Sequence, residues 1–268
     1  SSRGHLFRVY LTNIINWVHI AAWVRVPYRI RFTGTILAIS GAKRGYDMIA
    51  VSNATRYRRV DGRAALVLRE IDLTVTSKSR IGIYGGAGAG KSTLARLACK
   101  VENTDFGSVA HSCSVSWPIG LSAFLHKEMT GTENVNTLTG LLGGDRARTL
   151  AFVSAFTRQG PKLNRKVVTY SSFERDRLAI GCCFAFHFGI YVVDGLPSLG
   201  DPQFQSRCLA ELRRRMRSSG LLFFSKNRRH LELMCDKHYA LCNGALVPAQ
   251  SAGHAEMLAR SSMSKEFV

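Results

Sequence analysis

"GGAGAGKST", Gly85 to Thr93, decides how this chain is read. It fits G-x-x-x-x-G-K-[ST]: Gly85 opens the run, Gly86, Ala87, Gly88 and Ala89 fill it, Gly90 and Lys91 close it, and Ser92 and Thr93 follow. Residues this small let backbone N–H groups turn inward around phosphate oxygens. The lysine adds a point charge, and the serine hydroxyl can ligate Mg²⁺. An apolar strand, Ile81 to Tyr84, leads in, and an apolar-periodic helix, Lys91 to Lys100 with Leu94, Leu97 and Ala98, leads out. A chance glycine-rich turn would have neither flank, so the stretch is read as a phosphate loop.

About a hundred residues later, "FGIYVVDG", Phe188 to Gly195, reads as a buried strand ending on one carboxylate. Asp194 is then the metal-side acid, able to hold the water shell of a Mg²⁺ ion on the phosphates. Without the phosphate loop it would be an ordinary strand-ending acid.

Working outward, the texture from Met48 is of short strands: "MIAVSN", "AALVLREIDLTV" and "SRIGIY" before the loop, and "GSVAHSCSVSW" after its helix. Leu121 to Ala179 is richer in helical spacing and reads as a separate helical subdomain. Strands return as "GIYVVD", "GLLFFS" and "HYALCNGALV", the last folded back on itself at Asn243-Gly244. The fold class is α/β, with a mixed sheet as its core. The tail beyond Pro248 is small and polar.

A chain of 268 residues, 46% of them hydrophobic, can bury a substantial core. Its seven cysteines are odd in number and never form C-x-x-C, which fits a reduced, cytosolic compartment. Cys182 and Cys183 are adjacent in an apolar run, as small core residues often are; the alternative is a pair of metal ligands. A net charge of +19 asks for an acidic partner: nucleotide, nucleic acid, lipid headgroups or acidic polymer. Ten Lys/Arg against the single acid Asp47 lie in the first 60 residues. There the uncharged run Val9 to Val24 is 16 residues, short of the roughly 20 that a spanning helix needs. Leu11, Ile14, Ile15, Val18 and Ala22 repeat at helical spacing between flanking arginines, giving either an interfacial helix beside acidic lipid or an extra helix packed on the domain. Asn13, Asn16 and His19 interrupt the run and speak against a secretory signal.

From Met48 to Pro248 the order of elements resembles the nucleotide-binding subunits of ABC transporters. "SVSWPIG" (Ser114 to Gly120), "MTGTENV" (Met129 to Val135), "YSSFERDRLAIG" (Tyr170 to Gly181) and "SLGD" (Ser198 to Asp201) look like the branch that exports capsular polysaccharide. The resemblance implies a P-loop NTPase of ABC type over residues 48–248, a helical signature subdomain at about 121–180, a basic extension at 1–47 and a tail at 249–268. It implies ATP and Mg²⁺ as cofactors. It also implies membrane permease subunits and a second nucleotide-binding subunit, a copy or an intact relative, as partners at the cytoplasmic face of the inner membrane. Two such subunits face head to tail, each phosphate loop covered by the partner's signature loop. Ser171, Ser172, Phe173 and Glu174 stand where that signature S-G-G-Q falls, and Asp201 ends the D-loop. Tyr57, in "TRYRRVDG", stands where an aromatic stacks on adenine, and that reading is preferred to a surface aromatic among arginines.

Four departures from the family pattern bear on hydrolysis. Gly195 replaces the glutamate that polarises the attacking water, and Lys226, in "LLFFSKN", replaces the switch histidine. Lysine can touch phosphate but cannot act as a neutral imidazole. His126, in "FLHKEMTG", lies where the branch tends to have the Q-loop glutamine, and is otherwise a solvent-facing loop histidine; Gln159 is far from that place. Phe173 replaces a signature glycine where backbone must approach phosphate closely. General-base assistance is worth on the order of 10²–10⁴ in rate, so hydrolysis by this chain alone is expected to be slow.

Three functions follow in order: an ATP-binding subunit of a polysaccharide exporter, a non-catalytic ATP-binding regulatory or scaffold module, and a soluble nucleic-acid-associated protein of the same type. The third lacks a tandem second unit or an aromatic-rich RNA motif in the sequence. The run "LRRRMRSS", Leu212 to Ser219, reads as a solvated helix face rather than as a site for an anionic partner.

Overall fold

The computed structural model describes residues 47–60, 63–119, 122–195 and 201–263. The amphipathic stretch within residues 1–46 and the Ser198 to Gly200 part of the D-loop lie outside the described residues. Period-two burial builds the first sheet. Strand β1 (Met48–Val60) pairs antiparallel with β2 (Arg63–Thr76) on one edge, where Ile71, Leu73 and Val75 turn inward in alternation. A register shift near Glu70, whose φ is 45°, keeps Leu68 and Ile71 both buried although they are three apart.

Strand β3 (Arg80–Tyr84) leads into helix α1 (Lys91–Ala98), and β4 (Phe106–His111) returns to the free edge of β1. The second sheet is mixed. It places β5 (Ile190–Asp194), β6 (Gly220–Ser225), β3, β7 (Lys237–Cys242) and β8 (Ala245–Ala249) side by side in that order, all parallel except β8. Its central strands are continuous apolar runs because both faces are covered. Ile81, Ile83, Ile190, Val192, Leu222 and Phe224 pack with α1 and the first sheet, while Tyr84, Tyr191, Val193, Leu221 and Phe223 pack on the helical side. Asn243 and Gly244 both have positive φ, 47° and 77°, and close the β7–β8 hairpin as expected.

The helical side comprises α2 (Gly131–Leu142), α3 (Arg146–Thr157), two 3₁₀ turns (Gly160–Asn164 and Val167–Thr169) and α4 (Ser172–Ala185). Cys182 and Cys183 are buried in α4, and burial pushes the Cys182 thiol up to about 12. Helices α5 (Pro202–Arg215), α6 (Arg228–Met234) and α7 (Ala252–Met263) complete the chain. The last forms from the small, polar tail, with Ala252, Ala255 and Ala259 buried on one helical face.

Two expectations need correction. "GSVAHSCSVSW" is not one strand: β4 ends at His111, and the chain crosses to the edge of β5, where Val115 and Ile119 bridge Ile190 and Val193. Ser114 and Ser116 make that crossing, their hydroxyls accepting from the N–H groups of Gly189 and Val192, each at 3.0 Å. The run from Leu212 to Ser219 is only partly solvated. Leu212 and Met216 are buried, and the Arg215 guanidinium donates to the carbonyls of Phe184 and Phe186, tying α5 to the end of α4.

His111 closes β4 against α1, its Nε2 donating to the Ala98 carbonyl at 2.8 Å. Burial lowers its imidazole from 6.5 to about 4, opposed by that hydrogen bond. The unfolded chain therefore takes up a proton between these values that the folded chain refuses, and stability falls as pH drops from 6.5 toward 4. Thermal unfolding across that range should show a declining Tm, and the decline should be smaller in His111→Gln.

Candidate functional site

The carboxyl ends of the parallel strands gather the chemistry. Tyr84 ends β3 opposite Ser225 of β6, and Phe224 of β6 lies opposite Asp194 of β5. The phosphate loop, Lys226 and Asp194 therefore emerge along one sheet edge, where open parallel sheets bind ligands. Gly90 is the N-cap of α1 in the left-handed region, φ 97°, and no side chain caps the helix there. The amino end of α1 thus offers backbone donors and the positive end of its dipole to an anion. The Lys91 Nζ folds back on its own loop, donating to the carbonyls of Gly85, at 2.8 Å, and Gly86. Burial lowers the Lys91 ammonium from its ordinary value; Asp194 opposes that shift and Lys226 adds to it. Ser92 is exposed and Asp194 half-buried, so the loop offers a hard hydroxyl oxygen and the strand a hard carboxylate oxygen. That donor set suits Mg²⁺ shared with phosphates, which needs only one or two protein oxygens.

Gly195 follows in a left-handed conformation, φ 72°, its N–H bonded to the Phe224 carbonyl at 2.9 Å. A Cβ there would meet open space, so the backbone, not crowding, resists a side chain. Lys226 is exposed just past β6.

A cleft of about 370 Å³ continues from the loop toward β1, lined by Arg56, Tyr57, Arg58, Arg59, Ala64, Val67, Thr93, Glu102 and Asp105. Tyr57 is 39% exposed and meets Phe106 edge-on, with ring centroids 6.5 Å apart. Tyr57 and Thr93, the last residue of the phosphate loop, line the same cleft. Sequence reasoning missed Asp105, which lies there with them and has no spacing signal of its own.

The signature segment starts a helix. Ser171 is the N-cap of α4, accepting from Glu174 N–H, and the Glu174 carboxylate reaches back to Ser171 N–H at 2.8 Å. The S-x-x-E spacing could have revealed this capping box. Lys162 pairs with Glu174, and that contact, with the Ser171 N–H, holds the Glu174 carboxyl down at about 2. Ser172 and Phe173 form the exposed first turn, Phe173 being 51% exposed. Asp201 caps α5 through the N–H groups of Gln203 and Phe204 and pairs with Arg177 of α4 at 2.7 Å, linking the D-loop end to the signature helix. His126 is half-buried, and its backbone is clamped by the Asn134 amide, which donates to its carbonyl and accepts from its N–H.

Residues 68–195 match the family described as ABC transporter. The chain is 30% identical over 203 residues to the polysialic acid transport ATP-binding protein KpsT of Escherichia coli, covering 75% of this chain and 90% of that protein. It is 29% identical over 197 residues to the capsule polysaccharide export ATP-binding protein CtrD of Neisseria meningitidis serogroup B, covering 74% and 91%. A dimeric ATP-binding cassette solved in a post-hydrolysis state with ADP and Pi shares the fold. Its TM-score is 0.65 at 16% identity, over 74% of this chain and 96% of that one.

Proposed function

The chain belongs to the ABC transporter family of ATP-binding proteins, in its capsular polysaccharide export branch, and we propose that it is the ATP-binding subunit of a surface-polysaccharide exporter whose own hydrolysis is slow. One observation carries the reading of the site. Tyr57 and Thr93, the last residue of the Gly85 to Thr93 stretch, line one cleft, and Lys91 and Asp194 stand at the carboxyl ends of parallel strands in one sheet. The adenine would stack on Tyr57, Gly85 to Thr93 would surround the phosphates, and Ser92 and Asp194 would hold a Mg²⁺ ion. That ion would supply charge neutralisation to the phosphates. Coupling comes from nucleotide-driven pairing with a second such subunit, which moves membrane permease subunits while this chain sits peripherally on the cytoplasmic face of the inner membrane. Among the described residues no helix is long and apolar enough to cross a membrane.

Gly195 and Lys226 favour a second reading of the same site: occupancy rather than turnover is the signal, and the chain is a regulatory ATP-binding module. Calorimetric titration of the purified chain with ATP, with and without Mg²⁺, tests the common core of both. Saturable, Mg²⁺-strengthened binding is expected, and absence of binding would sink both. A slow ATPase abolished by Asp194→Ala supports the transporter subunit; tight binding with no turnover supports the module.

A further inference from the structure

We infer that Asp105 is a positioning residue that sets the nucleobase platform and so contributes to base affinity without touching phosphate. The inference rests on the nucleotide reading of the site. Pairing between β1 and β4 ends at Thr55 and Phe106, and the ladder's last rung is Asp105 N–H to the Thr55 carbonyl at 3.0 Å. Beyond that rung no β4 carbonyl is paired with Tyr57. The Asp105 side chain takes over: its Oδ2 accepts from Tyr57 N–H at 2.7 Å, and its Oδ1 accepts from Arg56 Nη1 at 3.0 Å. One carboxylate thus holds two consecutive residues of β1.

It does so where β1 needs holding. The pairing of β1 with β2 shifts register between Arg56 and Tyr57, so β2 alone leaves the direction of Tyr57 weakly fixed. The aromatic partner described for the Tyr57 ring is Phe106, an edge contact to a residue itself 62% exposed. A charge-assisted hydrogen bond to the Tyr57 backbone adds a directional tie at this point. Asp105 also lines the cleft, where a bare carboxylate would repel an anionic ligand. The Arg56 pairing compensates that charge.

The experiment compares two ligands on the full chain by calorimetric titration: Mg-ATP, which has a base, and Mg-tripolyphosphate, which does not. Asp105→Ala should weaken Mg-ATP by about tenfold, the order that one lost base–aromatic stack costs, and leave Mg-tripolyphosphate within about twofold. Tyr57→Leu should give the same split. Asp105→Asn keeps an acceptor for Tyr57 N–H and should restore most of the Mg-ATP affinity.

Equal weakening of both ligands in Asp105→Ala, or no weakening of either, would overturn the inference. If Asp105→Ala does not fold, Asp105→Asn decides, since a full loss of base affinity there would show charge rather than backbone positioning at work. Lys91→Ala separates this from failure of the site itself. If Lys91→Ala binds both ligands as the wild type does, the nucleotide reading falls, and if it loses both while Asp105→Ala splits them, both stand.

Discussion

Replacing Lys91 by alanine is expected to lower Mg-ATP affinity by about a hundredfold or more, while Tm changes by only a few degrees. The affinity loss has two sources. The ammonium is a partly buried charge facing the phosphates, and hydrogen bonds to charged groups are each worth about 1.5–3 kcal/mol, or roughly ten- to hundredfold. The same ammonium is the tie between the two ends of the loop, through the carbonyls of Gly85 and Gly86, so its loss also leaves the backbone donors less organised. The small Tm change follows from what stays. Thr93, Leu94, Ala95, Leu97 and Ala98 bury α1 against the sheet, and none of them depends on Lys91. Calorimetric titration and thermal unfolding of the same preparation check both halves. An unchanged affinity would mean that the loop binds no polyphosphate.

What the sequence disclosed follows from how locally each feature is encoded. The strand, loop and helix around Gly85 to Thr93, the apolar run of β5 and the Asn243-Gly244 turn each depend on residues within a few positions, and each of these elements is found where the pattern put it. The switch from β4 to the edge of β5 was hidden because serine hydroxyls replace ladder partners there, and an apolar alternation continues across the change of sheet. The Asp105 clamp was hidden for a related reason: it spans 48 residues and exists only because β4 stops one rung short of Tyr57. Helix α7 shows the converse limit. Alanines at 252, 255 and 259 are a helical stripe, but residues this small carry little hydrophobic signal until a sheet and α6 stand beside them.

The departures at Gly195, Lys226 and Phe173, with Glu174 at the end of the signature segment, lead to the second large expectation: Gly195→Glu alone should raise ATP turnover little, while the four changes Gly195→Glu, Lys226→His, Phe173→Gly and Glu174→Gln together should raise it by on the order of 10²–10⁴, the worth of general-base assistance. The single change is weak for a backbone reason. At φ 72° a glutamate must either bear the left-handed conformation, at a cost of about 1–2 kcal/mol, or turn away and break the N–H bond to Phe224. Either way its carboxylate is not fixed where a water would sit, and Lys226, exposed just past β6, remains in place of a neutral imidazole.

In the proposed head-to-tail pairing, the changes at 173 and 174 act on the other half of the site. Glu174, kept ionised by Lys162 and Ser171, occupies the amino end of α4, where a partner's γ-phosphate would look for donors. Phe173 stands exposed beside it. Glu174→Gln removes the repulsion but keeps a capping side chain, and Phe173→Gly removes the bulk. Steady-state ATPase of the single and quadruple variants at equal protein concentration measures the contrast. A large gain from Gly195→Glu alone would mean that the backbone at 195 yields easily and that the signature loop was never limiting. A quadruple variant that binds Mg-ATP yet stays slow would place the limit outside these four positions, with His126, the proposed Q-loop residue, as the next one to change.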